Sequence, residues 1–175
     1  DPTIFKTGTT IDFEWVKNYA RHQAYLTKGI LITVRDARTG EHESFYFEGG
    51  IKSYVEYLLE KSKKNRLNNE VIYLSGSSGD SIAEIALLWS TAYDTKVMSF
   101  ANTIHTIDGG THESSFKTSL ARTVNKYGRN FKFLKESDSN LKGEDICEGL
   151  IAVVSVKLTD AQFESQTKAK LGNSE

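Results

Sequence analysis

Residues 143–173 read GEDICEGLIAVVSVKLTDAQFESQTKAKLGN, and this stretch joins an apolar run to a polar loop. The run 150–158 is largely β-branched, which predicts a strand that is buried on at least one face. The loop after the strand carries Gln166, Thr167 and Lys168 and has almost no apolar residues. A strand that ends in a lysine-bearing loop can hold a cation against an anionic ligand, although these residues alone fit a solvated loop more simply.

The rest of the chain alternates between helical and strand-like patterns. Apolar residues at helical spacing predict helices at about 13–28, from Ile51 onward and at 112–127. Alternating or β-branched runs predict strands at 30–34, 44–48, 71–74, 82–89 and 96–103. Asp12 and Thr111 are expected to cap helices, whereas Gly29 and Gly128 are expected to end them. Residues 129–142 are basic and then polar, and we expect them to be mobile.

This order of elements predicts the α+β class: a two-layer domain with a mostly antiparallel sheet and helices on one side. No repeat is visible, and the pattern indicates no internal domain boundary. The chain begins at Asp1 without a methionine, so we expect it to be a piece of a longer polypeptide.

Composition excludes several classes of protein. The chain has 175 residues and a net charge of -1, so the whole domain does not attract nucleic acid electrostatically, and any DNA contact must come from a local patch. No apolar run approaches the ~20 residues of a membrane span. Cys147 is the single cysteine, which excludes an internal disulfide and fits a reducing compartment, so we expect a cytoplasmic protein.

The sequence predicts no complete active site. The four histidines lack the spacing of metal ligands, so no metal site is predicted. The segment 75–81, SGSSGDS, superficially resembles a phosphate-binding loop, but it lacks the Gly-Lys-Ser/Thr ending and precedes a strand. We therefore expect a flexible hairpin connection between two strands there. No nucleophile lies beside a base in a recognisable pattern.

Two motifs resemble a known family. Residues 143–150 and 166–173 closely resemble motifs at the end of the second, transducer domain of bacterial type IIA topoisomerase B subunits, of DNA gyrase more than of topoisomerase IV. Gly-Gly-Thr-His at 109–112 is similar as well, and the resemblance covers essentially all 175 residues. Cys147 departs from the family, which often has arginine there.

The resemblance implies a ribosomal-protein-S-five domain-2-like fold with a left-handed βαβ crossover. It also implies that residues 1–175 are one transducer domain, with an ATP-binding domain upstream and a DNA-cleavage domain downstream. By resemblance, Gln166 and Lys168 reach the nucleotide site of the preceding domain and contact the ATP γ-phosphate, and Lys168 counts as catalytic. Arg122 is expected to line a cavity for duplex DNA, and Lys126, one turn further along the same face, is expected to bind DNA as well.

The implied function is to couple ATP binding and hydrolysis to DNA strand passage and supercoiling. ATP would be bound mainly by the upstream domain and Mg²⁺ elsewhere in the full protein, so we expect this piece alone to bind neither and to be inactive. The implied partners are double-stranded DNA, the gyrase A subunit in a heterotetramer of two A and two B subunits, the protein's own ATPase domain and, with ATP bound, a second B subunit. No membrane partner is expected.

Other interpretations remain open from the sequence. One is the equivalent domain of topoisomerase IV, which would serve decatenation. Another is a non-enzymatic nucleic-acid-binding module of the same fold, against which the near-neutral charge argues. The equivalent domain of a mismatch-repair or chaperone ATPase would not be expected to carry both motifs, and a small-molecule kinase of this fold would need a Gly-Leu-Gly-Ser-Ser loop that is absent.

Overall fold

The computed structural model describes residues 3–4 and 8–174 of the chain. The chain divides into two compact units, Asp1–Gly50 and Ile51–Glu175. The sequence pattern did not predict this division, because the apolar periodicity continues on both sides of it.

The unit Asp1–Gly50 contains a helix and a two-stranded antiparallel hairpin: α1 at Phe13–Leu26, β1 at Ile32–Arg35 and β2 at His42–Phe45. The Asp12 side chain accepts a hydrogen bond from the Glu14 N–H at 2.9 Å, which confirms the predicted cap. The bounds of β1 differ from the predicted 30–34 by at most two residues, and those of β2 differ from the predicted 44–48 by at most three. Lys17 pairs with Glu14 on the helix and with Glu41 of the hairpin, and these hydrogen bonds raise the pKa of Lys17 to about 12.

The unit Ile51–Glu175 contains a five-stranded sheet with three helices. Its elements in chain order are α2 at Ile51–Ser62, β3 at Ile72–Ser78, β4 at Ser81–Trp89, β5 at Lys96–Ala101, β6 at Ile104–His105, α3 at Thr111–Asn130, α4 at Gly143–Cys147 and β7 at Leu150–Lys157. The strand order is β3-β4-β7-β5-β6, and only the β5–β7 pair is parallel. The predicted α+β class and the mostly antiparallel sheet are therefore confirmed. The short strand β6 and helix α4 were not predicted.

Strand β7 is central and is buried on both faces. On one face, Phe116 of α3 packs in a cluster with alternate residues of β7, namely Leu150, Ala152 and Val154. On the other face, Tyr54 of α2 lies 6.1 Å between ring centroids from Phe100, which is opposite Ser155 in the ladder. Helices thus cover both faces, whereas the prediction placed them on one side. The reason is that an unbroken apolar strand exposes apolar side chains on two faces, and both need cover.

Helix α3 continues past Gly128 to Asn130, so the predicted stop at this glycine is wrong. Gly128 is buried, and a Cβ at this position would lie 3.0 Å from Cδ1 of Leu134. The Leu134 N–H also donates to the Gly128 carbonyl at 2.9 Å. The absence of a side chain therefore lets the following segment fold back onto the helix.

The predicted mobile segment 129–142 is fixed to α3 by hydrogen bonds. The buried Asn125 side chain donates to the Leu141 carbonyl at 3.1 Å and accepts from the Leu141 N–H at 2.8 Å. The Arg129 guanidinium donates to the carbonyls of Lys135 and Asp138 at 2.6 and 2.9 Å. Polar side chains that look solvated in the sequence are here partners of the backbone.

The segment 75–81 is a hairpin, as predicted, but most of it is paired strand rather than a flexible loop. Residues Ser75–Ser78 extend β3 and pair with β4 as far as Ser78 opposite Ser81. Gly79 forms the turn with a φ of 58°, a conformation that glycine adopts readily. Among the residues that the structure describes, no helix is long and apolar enough to cross a membrane.

Candidate functional site

The loop that follows β7 folds into a small bridged hairpin. Phe163 pairs with Leu171, and the Glu164 N–H donates to the Lys170 carbonyl at 3.0 Å. At the base of the loop, the buried Asn173 side chain accepts from the Gln162 N–H at 2.7 Å and donates to the Asp160 carbonyl at 2.8 Å. These bonds give the loop a fixed frame although its tip is exposed.

Gln166, Thr167 and Lys168 lie at the exposed tip of this loop. Lys168 has a φ of 56°, and its N–H donates to the Ser165 carbonyl at 3.0 Å, which closes the turn. The Lys168 ammonium is 5.7 Å from the centroid of the Phe163 ring. Within the described part of the chain it has no carboxylate partner, whereas Lys170 pairs with Glu164 at 3.0 Å. The tip therefore presents one cation that is available to an anion.

The same loop is bonded to the first residue of α3 and to the turn before it. The Thr111 N–H donates to the Leu171 carbonyl at 3.1 Å, and the Leu171 N–H donates to the Gly109 carbonyl at 3.1 Å. The Asp108 N–H donates to the Ala169 carbonyl at 2.9 Å. Thr111 was predicted to cap α3, but it is the first helical residue, and a loop carbonyl satisfies its otherwise unpaired N–H.

Gly110 makes this close contact between helix and loop possible. Its φ is 140°, in the region that favours glycine, and a Cβ on it would lie 2.4 Å from the carbonyl oxygen of Leu171. Any side chain would push the loop away from the helix. The glycine pair at 109–110 therefore has a packing role that its position in the sequence did not reveal.

A buried polar network supports the turn before α3. The Ser99 hydroxyl donates to the Glu113 carboxylate at 2.7 Å, and the Thr106 hydroxyl donates to the Ser99 carbonyl at 2.9 Å. His112 Nε2 lies 3.1 Å from the Thr106 hydroxyl, and burial lowers the pKa of this histidine, so its ring is neutral near pH 7. Sequence reasoning missed this network, because its members come from β5, the turn and α3.

Glu113 carries the charge of this network. Burial alone would raise the pKa of its carboxyl, but hydrogen bonds from Lys117 and Ser99 outweigh burial and hold the pKa below its usual range. The Lys117 ammonium lies 2.7 Å from the carboxylate. The unfolded chain therefore binds more protons than the folded chain at acidic pH, and folding favours the carboxylate.

We expect Glu113→Gln to weaken the dependence of stability on acidic pH. The stabilisation by Glu113 is complete above its ordinary pKa of 4.5 and is lost as the pH falls through the lowered folded-state value. Urea unfolding between about pH 3 and 6 measures the difference. The exposed Glu136→Gln is the matched control and should keep the wild-type profile. If both variants keep that profile, Glu113 does not have a depressed pKa.

Arg122 and Lys126 lie on the exposed face of α3, as the helical spacing predicts. With Arg129, Asn140 and Leu141 they line a groove of about 520 Å³. In the described residues neither cation has a carboxylate partner within ion-pair distance. At 1.5 Å per residue, Arg122 lies about 16 Å along the helix from the loop-bonded Thr111. The two candidate sites are therefore separate, and α3 connects them.

Tyr127 follows Phe116, Leu120 and Val124 at helical spacing, which predicts a buried position, but it is 54% exposed. In the described residues, no group of three or more histidine, cysteine or acidic side chains could hold a metal ion.

Cys147 is buried beneath α3, and burial raises the pKa of its thiol, so it is a poor nucleophile.

Comparison with a solved structure gives the class of protein. The 43K ATPase domain of Thermus thermophilus gyrase B, solved in complex with an aminocoumarin, matches with a TM-score of 0.82 and 34% identity over 99% of this chain and 46% of that chain. The sheet and its helices therefore have the fold found in the ATPase region of a DNA topoisomerase.

Sequence comparison then gives the family. The model of the family described as DNA gyrase B matches residues 50–175. The chain is 50% identical to the DNA gyrase B subunit of Clostridium acetobutylicum and 47% identical to that of Enterococcus faecalis, in each case over 100% of this chain and 27% of the relative. This chain belongs to the DNA gyrase B family. It spans about a quarter of the length of these relatives.

Proposed function

We propose that this chain is the transducer domain of a DNA gyrase B subunit. In this role it couples ATP binding and hydrolysis in a preceding domain to the passage of a DNA duplex and to supercoiling. ATP hydrolysis is a property of the full-length subunit, and residues 1–175 alone are inactive.

One observation carries this proposal: the loop that presents Lys168 is bonded through its backbone to the first turn of α3. A phosphate group that draws the tip toward itself therefore also pulls on the helix that exposes Arg122 and Lys126. One main-chain hydrogen bond joins the loop to the first residue of α3, and two more join it to the turn directly before the helix. Movement at the nucleotide therefore reaches the DNA-facing helix without an intervening flexible segment. A two-state shift of this kind is a common form of coupling.

The tip has the chemistry that a terminal phosphate requires. The Lys168 ammonium has no carboxylate partner among the described residues, and both Lys168 and Gln166 are exposed at the tip. Bound ATP supplies a phosphoryl group on which negative charge develops during hydrolysis. Lys168 stabilises that charge, and Gln166 orients the phosphate through a hydrogen bond. Most contacts with ATP, and the Mg²⁺ ion, belong to the preceding domain.

The partners follow from the same role. They are duplex DNA at α3, the protein's own ATPase domain at the Lys168 loop, a second B subunit when ATP is bound, and the gyrase A subunit in a heterotetramer of two A and two B subunits. The protein works in the cytoplasm, where these partners and its DNA substrate are found.

Charge reversal at Arg122 and Lys126 tests the DNA contact. We expect the double variant Arg122→Glu/Lys126→Glu in the full-length protein to bind duplex DNA roughly tenfold or more weakly, regardless of sequence. The slope of log affinity against log salt should fall by about 0.9 for each phosphate that is no longer bound. Titration of labelled duplexes at several salt concentrations measures both quantities.

Lys52→Glu is the matched control, because Lys52 is an exposed lysine on α2 that lies far from α3 in sequence. It should leave the affinity and the salt slope close to wild type. Wild-type values for the Arg122→Glu/Lys126→Glu variant would mean that this face of α3 is only solvated.

A further inference from the structure

Three aromatic side chains form an exposed group at the carboxyl end of α3. Tyr127, Phe131 and Phe133 are 54%, 60% and 77% exposed. The Tyr127 ring lies 4.2 Å from that of Phe131 and 6.4 Å from that of Phe133, with interplanar angles of 28° and 19°. We call these three residues the aromatic tip. Large apolar side chains that cluster in water usually mark a binding surface.

The aromatic tip is a defined element rather than a frayed helix end. The Phe131 N–H donates to the Tyr127 carbonyl at 3.0 Å, and the Lys132 N–H donates to the Arg129 carbonyl at 3.0 Å. Leu134 then folds back onto Gly128, where a larger residue would not leave room for it. These contacts hold the Phe131 and Phe133 side chains outside the core.

The sequence from residue 114 to residue 135, which includes the aromatic tip, carries only basic charges, and acidic residues follow at Glu136 and Asp138. No aspartate or glutamate occurs between Glu113 and Glu136, whereas six basic residues do: Lys117, Arg122, Lys126, Arg129, Lys132 and Lys135. Lys126 and Lys132 are exposed and are neighbours in sequence of tip residues. In a chain with a net charge of -1, this is a marked local concentration of positive charge.

We propose that the aromatic tip binds single-stranded nucleic acid, with unpaired bases stacked on the rings and phosphates held by Lys126 and Lys132. Nearly parallel aromatic rings among cations match a ligand that alternates flat bases with anionic phosphates. A base-paired duplex covers the faces of its bases, so it cannot use the rings in this way. An apolar protein partner would use the rings but not the surrounding cations. This function is additional to the phosphate contact of Lys168 and the duplex contact of Arg122.

The test measures, from fluorescence anisotropy, how tightly labelled oligo(dT) binds to the full-length protein. We expect Phe131→Ala/Phe133→Ala to weaken binding roughly tenfold or more, because each base that can no longer stack removes a substantial part of the affinity. The salt slope should be unchanged, since no charge is removed. Lys132→Gln, in contrast, should lower both the affinity and the salt slope.

Tyr93→Ala is the matched control, because Tyr93 is 86% exposed in the same unit but lies outside the basic segment. It should bind oligo(dT) as the wild type does. Phe131→Ala/Phe133→Ala and Tyr93→Ala remove only exposed side chains, so both variants should keep the wild-type melting temperature. An unchanged melting temperature excludes misfolding as the cause of weaker binding. If Phe131→Ala/Phe133→Ala binds oligo(dT) with wild-type affinity, the proposal is overturned. If that variant also loses binding to the gyrase A subunit, the aromatic tip binds a protein partner instead.

Lys126 is shared by the two proposals, so it is not varied in the single-strand test. ATP turnover depends on Lys168 and duplex affinity on Arg122 and Lys126, and neither measurement involves the Phe131 or Phe133 ring or Lys132. A failure of the single-strand proposal therefore leaves the transducer proposal intact, and the reverse is also true.

Discussion

Lys168→Ala should lower ATP turnover of the full-length protein roughly 10²- to 10³-fold, the scale of removing one donor that stabilises developing charge. The Lys168 ammonium is exposed at the loop tip and has no carboxylate partner in the described residues, so its removal should leave folding unaffected. The effect of the substitution should therefore be a lower rate of ATP hydrolysis and not a loss of stability. Steady-state phosphate release, with thermal unfolding measured in parallel, distinguishes a catalytic loss from a loss of structure.

Lys170→Ala is a close matched control for this experiment. Lys170 is exposed on the same loop, but its ammonium pairs with Glu164 at 3.0 Å. Such an exposed pair contributes little to stability, so the control should keep most of its turnover. Lys168→Arg keeps the charge but changes the geometry of the donor, and it should recover part of the lost rate. Turnover that is unchanged in Lys168→Ala would show that the loop is structural.

Gly110→Ala should detach the Lys168 loop from α3. Two unfavourable contributions to the free energy of the folded loop add. The first is about 1–3 kcal/mol for placing a side chain in a backbone region that glycine alone occupies readily, and the second is about 1–3 kcal/mol for overpacking. The overpacking arises because the new Cβ would lie 2.4 Å from the Leu171 carbonyl oxygen, which is a backbone atom and cannot move aside as a flexible side chain could. A local destabilisation on the order of 4 kcal/mol follows from these two terms.

Amide hydrogen exchange in the full-length protein measures this effect locally. We expect faster exchange at residues 106–113 and 163–173, together with a fall in ATP turnover, because Lys168 loses its fixed position. Gly76→Ala is the matched control, since a Cβ at Gly76 in β3 meets nothing within 4 Å. Protection of both segments that persists in Gly110→Ala would show that the loop does not depend on this contact.

Several elements could be predicted because their signals are local. The stripe of α2 repeats at helical spacing from Ile51, the Asp12 cap precedes α1 directly, and the β-branched run predicts β7. At Gly128, in contrast, the prediction from the local signal was wrong. A glycine near the end of a helical pattern usually ends it, but here the glycine makes room for Leu134, and only the packed structure shows this.

The candidate site was predicted in part. The residue types of the loop and the exposed face of α3 could be read from the sequence, and the resemblance supplied the roles that we propose for Gln166, Lys168, Arg122 and Lys126. The polar network around Glu113 and the aromatic tip could not be found in this way. Their members become neighbours only when separate elements pack or when the chain folds back.

The sequence by itself determined the helices and strands with strong periodicity, the absence of an internal disulfide and the gyrase-like motifs at both ends of β7. These properties depend on residue type and on spacing over a few residues. The tertiary structure alone decided that helices cover both faces of the sheet, that residues 129–142 are fixed by Asn125, and that the Lys168 loop is bonded to α3. The physical reason is that these features depend on contacts between residues far apart in the chain, such as Gly110 with Leu171, and no local pattern encodes such a contact.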